Sequence, residues 1–185
     1  ADYNKAIDYY FKSISIKKII EDKKGMSNSY NNLALIYKIQ GDIEKALNYF
    51  KLSLGIREEV GDKNGICGSL NNLGVLYYEQ GNYTKAIELY RKSLKIREEI
   101  NDKKGITKLL NNIGLINYKE KQYEEAIRYA KQALTIENEI DDFYTKVSTL
   151  RLLSDIFRDT RKLKRAFDYN KRALSLSKET CNLVG

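Results

Sequence analysis

One internal recurrence governs what this chain can fold into. Asn31-Asn32-Leu33-Ala34 returns as Asn71-Asn72-Leu73-Gly74 and again as Asn111-Asn112-Ile113-Gly114, a step of 40 residues each time (71−31, 111−71). Gly25, Gly65 and Gly105 keep that step, as do Ala6, Ala46, Ala86, Ala126 and Ala166. A fixed period of this length means stacked copies of one supersecondary unit, each burying its apolar face against the next. Full copies span 25–64, 65–104 and 105–144, and a diverged copy spans 145–180. Residues 1–24 match only the second half of a copy, and 181–185 form a tail. The chain therefore reads as one continuous solenoid domain that opens in mid-repeat, a piece cut from a longer array.

Each copy predicts two helices. In the second copy, Ile66, Leu70, Leu73, Leu76 and Tyr77 recur at three-and-four spacing from about Lys63 to Gln80. Gly81 ends that helix, because glycine accepts the left-handed cap. Asn82, like Asp42 before it, stands ready to cap the next helix. That second helix turns Tyr83, Ala86, Ile87, Tyr90, Leu94, Ile96 and Ile100 toward the core, and Gly61-Asp62 and Asn101-Asp102 mark the turns into the following copies. Lys121 and Arg161 replace the turn glycine later in the chain, so those turns are expected to be strained or differently shaped. Small residues fall where paired helices must approach: Ala34, Gly74, Gly114 and Ser154 on the first, Ala46, Ala86, Ala126 and Ala166 on the second. Ser53, Ser93, Ala133 and Ala173 continue that pattern along the second helix.

Composition narrows the function classes. The 185 residues are 42% hydrophobic and 31% charged, which suits a core with long solvated helix faces. There is no proline to break a helix, and no histidine to serve as general base or metal ligand. Cys67 and Cys181 lie far apart, form no metal or redox motif, and read as free thiols in a reducing compartment. No apolar run reaches the ~20 residues that span a bilayer. The expected location is the cytoplasm, although a removed leader is compatible with a chain that starts without methionine. The formal charge of +8 permits acidic partners without establishing nucleic-acid binding. Arg57-Glu58-Glu59 and Arg97-Glu98-Glu99 read as solvated convex faces, Asp141-Asp142 as helix-capping residues, and Cys67 as a packed thiol. No acid–base constellation is present, so neither an enzyme, a metal nor a cofactor is expected.

Leu73-Gly74-x-x-Tyr77 followed by Ala86-x-x-x-Tyr90 resembles the tetratricopeptide repeat, and Ala46-x-x-x-Phe50 resembles it more closely. Tyr30, Leu70, Leu110 and Leu150 stand where that family has tryptophan, and its closing proline is absent. The period of 40 rather than 34 is similar to the long-repeat subgroup of kinesin light chains, LGN/Pins polarity adaptors and bacterial tetratricopeptide signalling proteins. The resemblance implies an all-α, right-handed superhelical α-solenoid of antiparallel helix pairs, whose first helices line a concave groove. It places Asn28, Asn31, Asn32, Leu35, Lys38 and Ile39 in that groove from the first full copy. It adds Gly68, Asn71, Asn72, Val75, Tyr78 and Glu79 from the second, then Lys108, Asn111, Asn112, Leu115, Tyr118 and Lys119 from the third. The diverged copy contributes Ser148, Arg151, Leu152, Asp155, Arg158 and Asp159.

An asparagine amide offers donors and an acceptor together, so it can pair with a peptide N–H and C=O at once. Repeated on one helix face, such amides would form a ladder for a ligand backbone, each net bond contributing ~0.5–1.5 kcal/mol. In similar long-repeat adaptors, groove asparagines hold an extended partner. The competing expectation is that the amides bond to neighbouring repeats and set the superhelix. Leu35, Val75 and Leu115 would receive apolar side chains, Tyr78 and Tyr118 would stack on the ligand, and Tyr83, Tyr90 and Tyr123 belong to the core. Lys38, Lys108, Lys119, Arg151 and Arg158 outnumber Glu79, Asp155 and Asp159, which favours a ligand with acidic residues unless these lysines and arginines are merely solvated.

The leading expectation is a scaffold that binds a peptide or protein segment. A second is a sensor or regulatory segment of a larger signalling protein, such as a histidine kinase, a nucleotide cyclase or a transcription regulator. RNA binding is a weaker third, because the repeated polar pair is neutral and shows no code of one base per repeat. The half-copy at 1–21 presents Ile7, Tyr10, Phe11 and Ile14 without a covering helix, so self-association through that helix is also expected.

Overall fold

The computed structural model of the protein describes residues 2–140 and 142–182, the last three by backbone alone. Asp141 and the Cys181 side chain therefore lie outside the described residues. Among those described, every regular element is an α-helix: α1 (Tyr3–Ile19), α2 (Lys23–Ile39), α3 (Ile43–Glu59), α4 (Lys63–Glu79), α5 (Tyr83–Glu99), α6 (Lys103–Lys119), α7 (Tyr123–Ile140), α8 (Phe143–Asp159) and α9 (Leu163–Asn182). None is long and apolar enough to cross a membrane.

Capping residues fix the helix starts. Asp22, Asp62, Asp102 and Asp142 accept from the backbone N–H of Gly25, Gly65, Gly105 and Thr145, at 2.8, 3.0, 2.9 and 3.4 Å. Asp2, Asp42 and Asn82 do the same for α1, α3 and α5 at 3.2, 3.1 and 3.2 Å. The acceptors are aspartate and asparagine because a short side-chain oxygen reaches an otherwise orphaned N–H.

The turns between helices are built alike. Gly41 and Gly81 take φ of 80° and 73°, and the next residue donates back to the carbonyl of Tyr37 or Tyr77 at 2.9 Å. Lys121 and Arg161 adopt φ of 60° and 58° with the same hydrogen bonds, from Gln122 to Asn117 and from Lys162 to Phe157, at 2.8 Å. Of the two expectations for these turns, strain or a different shape, the structure keeps the glycine geometry and leaves the strain. Their cost is the left-handed backbone of a side-chain-bearing residue, not a different path.

The chain divides into two compact units, residues 1–96 and 97–185, with the boundary inside α5. In the first unit α1 packs on α2, α2 pairs with α3, and α3 meets α4. Ala34, Ala46, Phe50, Leu73 and Leu76 form its core cluster. Gly74 lies against the ring of Tyr90, which is itself buried, so a methyl group there would overlap the aromatic edge. In the second unit α6 pairs with α7 and α8 with α9, while α7 packs on α8. Its core gathers Ala126, Ala130, Leu152, Leu153, Ile156, Phe157 and Ala166. Leu152, mapped to the groove from sequence, belongs to this core. Tyr90 is fully packed, whereas Tyr83 and Tyr123 are half-buried.

A second periodic feature runs through the helix ends. Arg57 is 8% exposed, not part of a solvated convex face as its Arg-Glu-Glu context implied; Glu58 and Glu59 are the exposed members of that run. Its guanidinium donates to the Gly65 carbonyl (3.0 Å), Ser69 Oγ (2.7 Å), Asn28 Oδ1 (2.9 Å) and Ser27 Oγ (3.4 Å). Burial pulls the Arg57 pKa below its ordinary value, with Asp62 opposing, but a guanidinium remains charged at neutral pH. Lys17, one step earlier, donates to the Gly25 carbonyl at 3.1 Å and to Ser29 Oγ at 3.0 Å. Arg97, one step later, is half-buried and pairs with Asp102. Gly25 and Gly65 leave room both for the capping Asp22 and Asp62 carboxylates, which a Cβ would meet first, and for these side chains: the Cβ would stand 2.9 Å from Lys17 Cε and 2.8 Å from Arg57 Cδ. In the diverged copy Thr145 replaces the glycine, and Glu137 replaces the cation.

Candidate functional site

In the first unit, α2 and α4 carry the predicted binding face. Asn72 Nδ2 donates to Asn31 Oδ1 at 2.9 Å, so these two amides tie one hairpin to the next. Asn28 accepts from Arg57, and Lys38 pairs with Glu79 at 2.8 Å. Lys38 is therefore balanced by a carboxylate rather than left to attract one. Tyr78 packs on Tyr83, ring centroids 5.7 Å apart. Val75 and Asn71 are half-buried, and Leu35 is 38% exposed. Asn32 is half-buried on the same helix face as Leu35, and its side-chain amide makes no hydrogen bond among the described residues.

In the second unit, α6 and α8 supply the corresponding residues. Asn111 Nδ2 donates to Thr149 Oγ1 at 2.6 Å and to Glu137 Oε1 at 3.2 Å, and Thr149 donates to the same Glu137 oxygen at 2.7 Å. Glu137 is fully buried. Burial pushes its carboxyl pKa up, while the bonds from Thr149 and Asn111 pull it down. Asn111 Oδ1 and Glu137 Oε2 are buried acceptors without a hydrogen-bond partner among the described residues. That pattern fits a neutral Glu137 carboxyl, which has a proton to donate.

Tyr118, predicted to stack on a ligand, instead gives its hydroxyl to Asp159 Oδ2 at 2.6 Å, and this bond raises the phenol pKa to about 12. Leu115 is half-buried and packs on the core of the second unit. Arg158 pairs with Asp155 at 2.8 Å and with Asp159 at 3.2 Å. Asn112 is half-buried. Lys108, Lys119 and Arg151 are exposed, and no ion pair engages them among the described residues. The excess positive charge thus sits on α6 and α8, carried by fewer residues than the sequence map named.

The buried Arg57 and the half-buried Lys17 and Arg97 were not recognised from sequence, yet the signal was present. They recur at the step of 40, and each precedes its glycine by eight residues (25−17, 65−57, 105−97). The elements offer no metal centre: no cluster of three or more His, Cys, Asp or Glu is assembled among the described residues. Cys67 is buried, with Sγ directed at the Ser93 carbonyl at 3.7 Å.

The model of the tetratricopeptide repeat matches residues 1–59, 25–99, 65–139 and 105–179, overlapping segments that reach across nearly the whole sequence. The chain belongs to the tetratricopeptide repeat family. No curated protein matches it at a significant level. Among solved structures it resembles BtubC (BKLC) from P. vanneervenii, with a TM-score of 0.84 and 21% identity over 97% of this chain and 75% of that one. Aspartyl phosphate phosphatase F from Bacillus subtilis superposes with a TM-score of 0.86 at 18% identity, over 96% of this chain and 47% of that one. The Rap conjugation gene regulator of plasmid pLS20, solved in complex with the Phr* peptide, gives 0.76 at 18% identity, over 97% and 50%. This chain spans about half the length of the latter two. At such identities the likeness establishes a shared tetratricopeptide fold. Within that fold, Gly74 and Ala86 occupy the small positions that let paired helices touch.

Proposed function

We propose that this tetratricopeptide chain is a protein-interaction scaffold that holds an extended polypeptide segment on its first-helix faces. One observation carries the reading: Asn32 presents an amide with no hydrogen-bond partner among the described residues, on the same face as the exposed Leu35. The Asn32 amide is half-buried rather than sealed off, so it stays open to a ligand backbone, and one carboxamide satisfies both a peptide N–H and a C=O. The family supports the reading, as does a structural neighbour that holds a peptide. Asn31 and Asn72 act as spacers between hairpins, so the ladder contains both kinds of amide. Lys108, Lys119 and Arg151 give the α6–α8 face its preference for acidic residues. The repeat boundaries at 25, 65, 105 and 145 belong to this same reading.

Self-association is a secondary part of the proposal. Of the residues named from sequence on α1, Ile14 is buried, and Ile7 and Tyr10 are half-buried. The exposed apolar face is instead Tyr9, Ile16 and Ile20, with Ile19 at its margin, while Phe11 lies on the opposite side against Tyr49. A second copy packing there would sediment as a dimer, and Ile16→Lys with Ile19→Lys would restore the monomer.

The test uses a peptide selected from a randomised library against the full chain. With Leu35 replaced by photoreactive benzoyl-phenylalanine, irradiation is expected to capture the peptide. The same residue at Lys51, on the exposed side of α3, is expected to leave it free. Capture at position 51 and not at 35 would overturn the assignment of the binding face.

A further inference from the structure

A second, differently built pocket lies in the second unit, between α7 and α9. It is a half-open depression of about 330 Å³ lined by Phe157, Tyr169 and four exposed charged residues, Lys131, Arg165, Asp168 and Arg172. Phe157 of α8 is buried, and its ring stacks on Tyr169 with centroids 5.5 Å apart and planes 11° apart. The Arg165 guanidinium carbon stands 5.6 Å from the Phe157 centroid, and that of Arg172 stands 5.5 Å from the Tyr169 centroid. Two guanidinium groups are thus held against aromatic rings, which restricts their rotamers without neutralising them. Lys131 adds a third cation from α7. None of the three is joined to a carboxylate by an ion pair among the described residues, Asp168 included.

An equivalent frame in the first unit shows that this charge is not a general property of the repeat. Tyr37 and Tyr49 stack at 5.4 Å and 10°, with Lys45 5.1 Å over Tyr37. There Lys45 is paired with Asp42 at 2.7 Å. The positions three steps of 40 before Lys131 and Arg172 are Phe11 and Leu52 (131−120, 172−120). Phe11 packs edge-on against Tyr49 at 6.2 Å. The corresponding positions therefore carry apolar groups in one copy and cations without an ion pair among the described residues in the other.

We propose that the α7–α9 pocket binds a phosphate monoester carried on an organic body. Three cations against one carboxylate leave two positive charges, matching a phosphate dianion. Paired guanidinium forks suit the geometry of its oxygens better than that of a single carboxylate. The volume exceeds what a bare phosphate fills and falls at the lower end of small-ligand sites. The site uses α7 and α9, the second helices of their hairpins, so it operates independently of the first-helix peptide face.

Phenyl phosphate is the probe, titrated into the full chain by calorimetry and by amide NMR, with inorganic phosphate alongside. The expected result is saturable binding of phenyl phosphate, with shifts at Tyr169 and its neighbours, and weaker binding of inorganic phosphate. Arg165→Gln with Arg172→Gln should weaken binding by about tenfold or more, as loss of charge-assisted bonds requires. Lys164→Gln with Lys171→Gln removes the same charge from exposed positions of α9 outside the pocket and should leave affinity within about twofold. If the arginine pair fails to fold, Lys131→Gln on α7 replaces it, with an expected loss of about threefold. Equal weakening by both pairs, inorganic phosphate binding as tightly as phenyl phosphate, or no saturable binding would overturn the proposal.

Discussion

The Arg57 guanidinium donates to the carbonyl oxygen of Gly65 at 3.0 Å, eight residues along the chain and across the junction between two helix pairs. The bond is possible because Gly65 has no side chain to occupy the space of the Arg57 methylenes. The same guanidinium reaches back to Ser27 and Asn28, so one side chain ties α2 and α4 to α3. Arg57→Ala is expected to destabilise the fold by about 2–4 kcal/mol, because it leaves buried acceptors unpaired. Arg57→Lys reproduces the arrangement of Lys17 and should cost less than half as much. Urea unfolding curves of the two variants test this.

Replacing Lys121 or Arg161 by glycine should stabilise the protein by roughly 1 kcal/mol at each site, since both residues sit at left-handed φ. Gly81→Ala should produce a loss of similar size. A rise in melting temperature for the first two, and a fall for the third, is the expected pattern.

Gly74→Ala drives a methyl group into the edge of the buried Tyr90 ring. Overpacking of this kind costs about 1–3 kcal/mol. The double variant Gly74→Ala with Tyr90→Leu should recover part of that loss, which a double-mutant cycle by chemical denaturation measures.

Glu137 makes stability depend on pH. Burial raises its pKa in the folded state above the ordinary carboxylate value of about 4.3. Between those two values the folded chain holds a proton that the unfolded chain has released. Its contribution is therefore fully present at low pH and is lost as pH rises toward the folded-state pKa. Compared with the native chain, Glu137→Gln should lose this downward slope and be at least as stable at neutral pH. A parallel pair of stability–pH curves would contradict the account.

Much of this architecture was legible in the sequence because repetition multiplies weak signals. The recurrent Asn-Asn-Leu, the small residues at 34, 74 and 114, and the Asp caps each reported the same period. The left-handed turns at Lys121 and Arg161 were harder to read, because local propensity argues against a geometry that the neighbouring helices impose. Arg57 was misread for a related reason. An Arg-Glu-Glu run looks solvated when taken alone, and only its spacing from Gly65 reveals that the arginine turns inward. The partners of the groove residues were least accessible. Nothing in a single copy says that Asn72 meets Asn31, that Tyr118 meets Asp159, or that Lys38 meets Glu79, since each bond crosses 41 residues.

Those bonds divide the asparagines into amides engaged by neighbouring repeats and an amide still available, and the central claim rests on the second kind. Calorimetric titration of the library-selected peptide into the native chain and into Asn32→Ala tests it directly. Because Asn32 bonds to nothing within the described protein, its removal should leave the melting temperature within about 1 °C. It should nonetheless weaken peptide binding about fivefold to tenfold, the value of one or two hydrogen bonds. Unchanged affinity in a variant of unchanged stability would contradict the account.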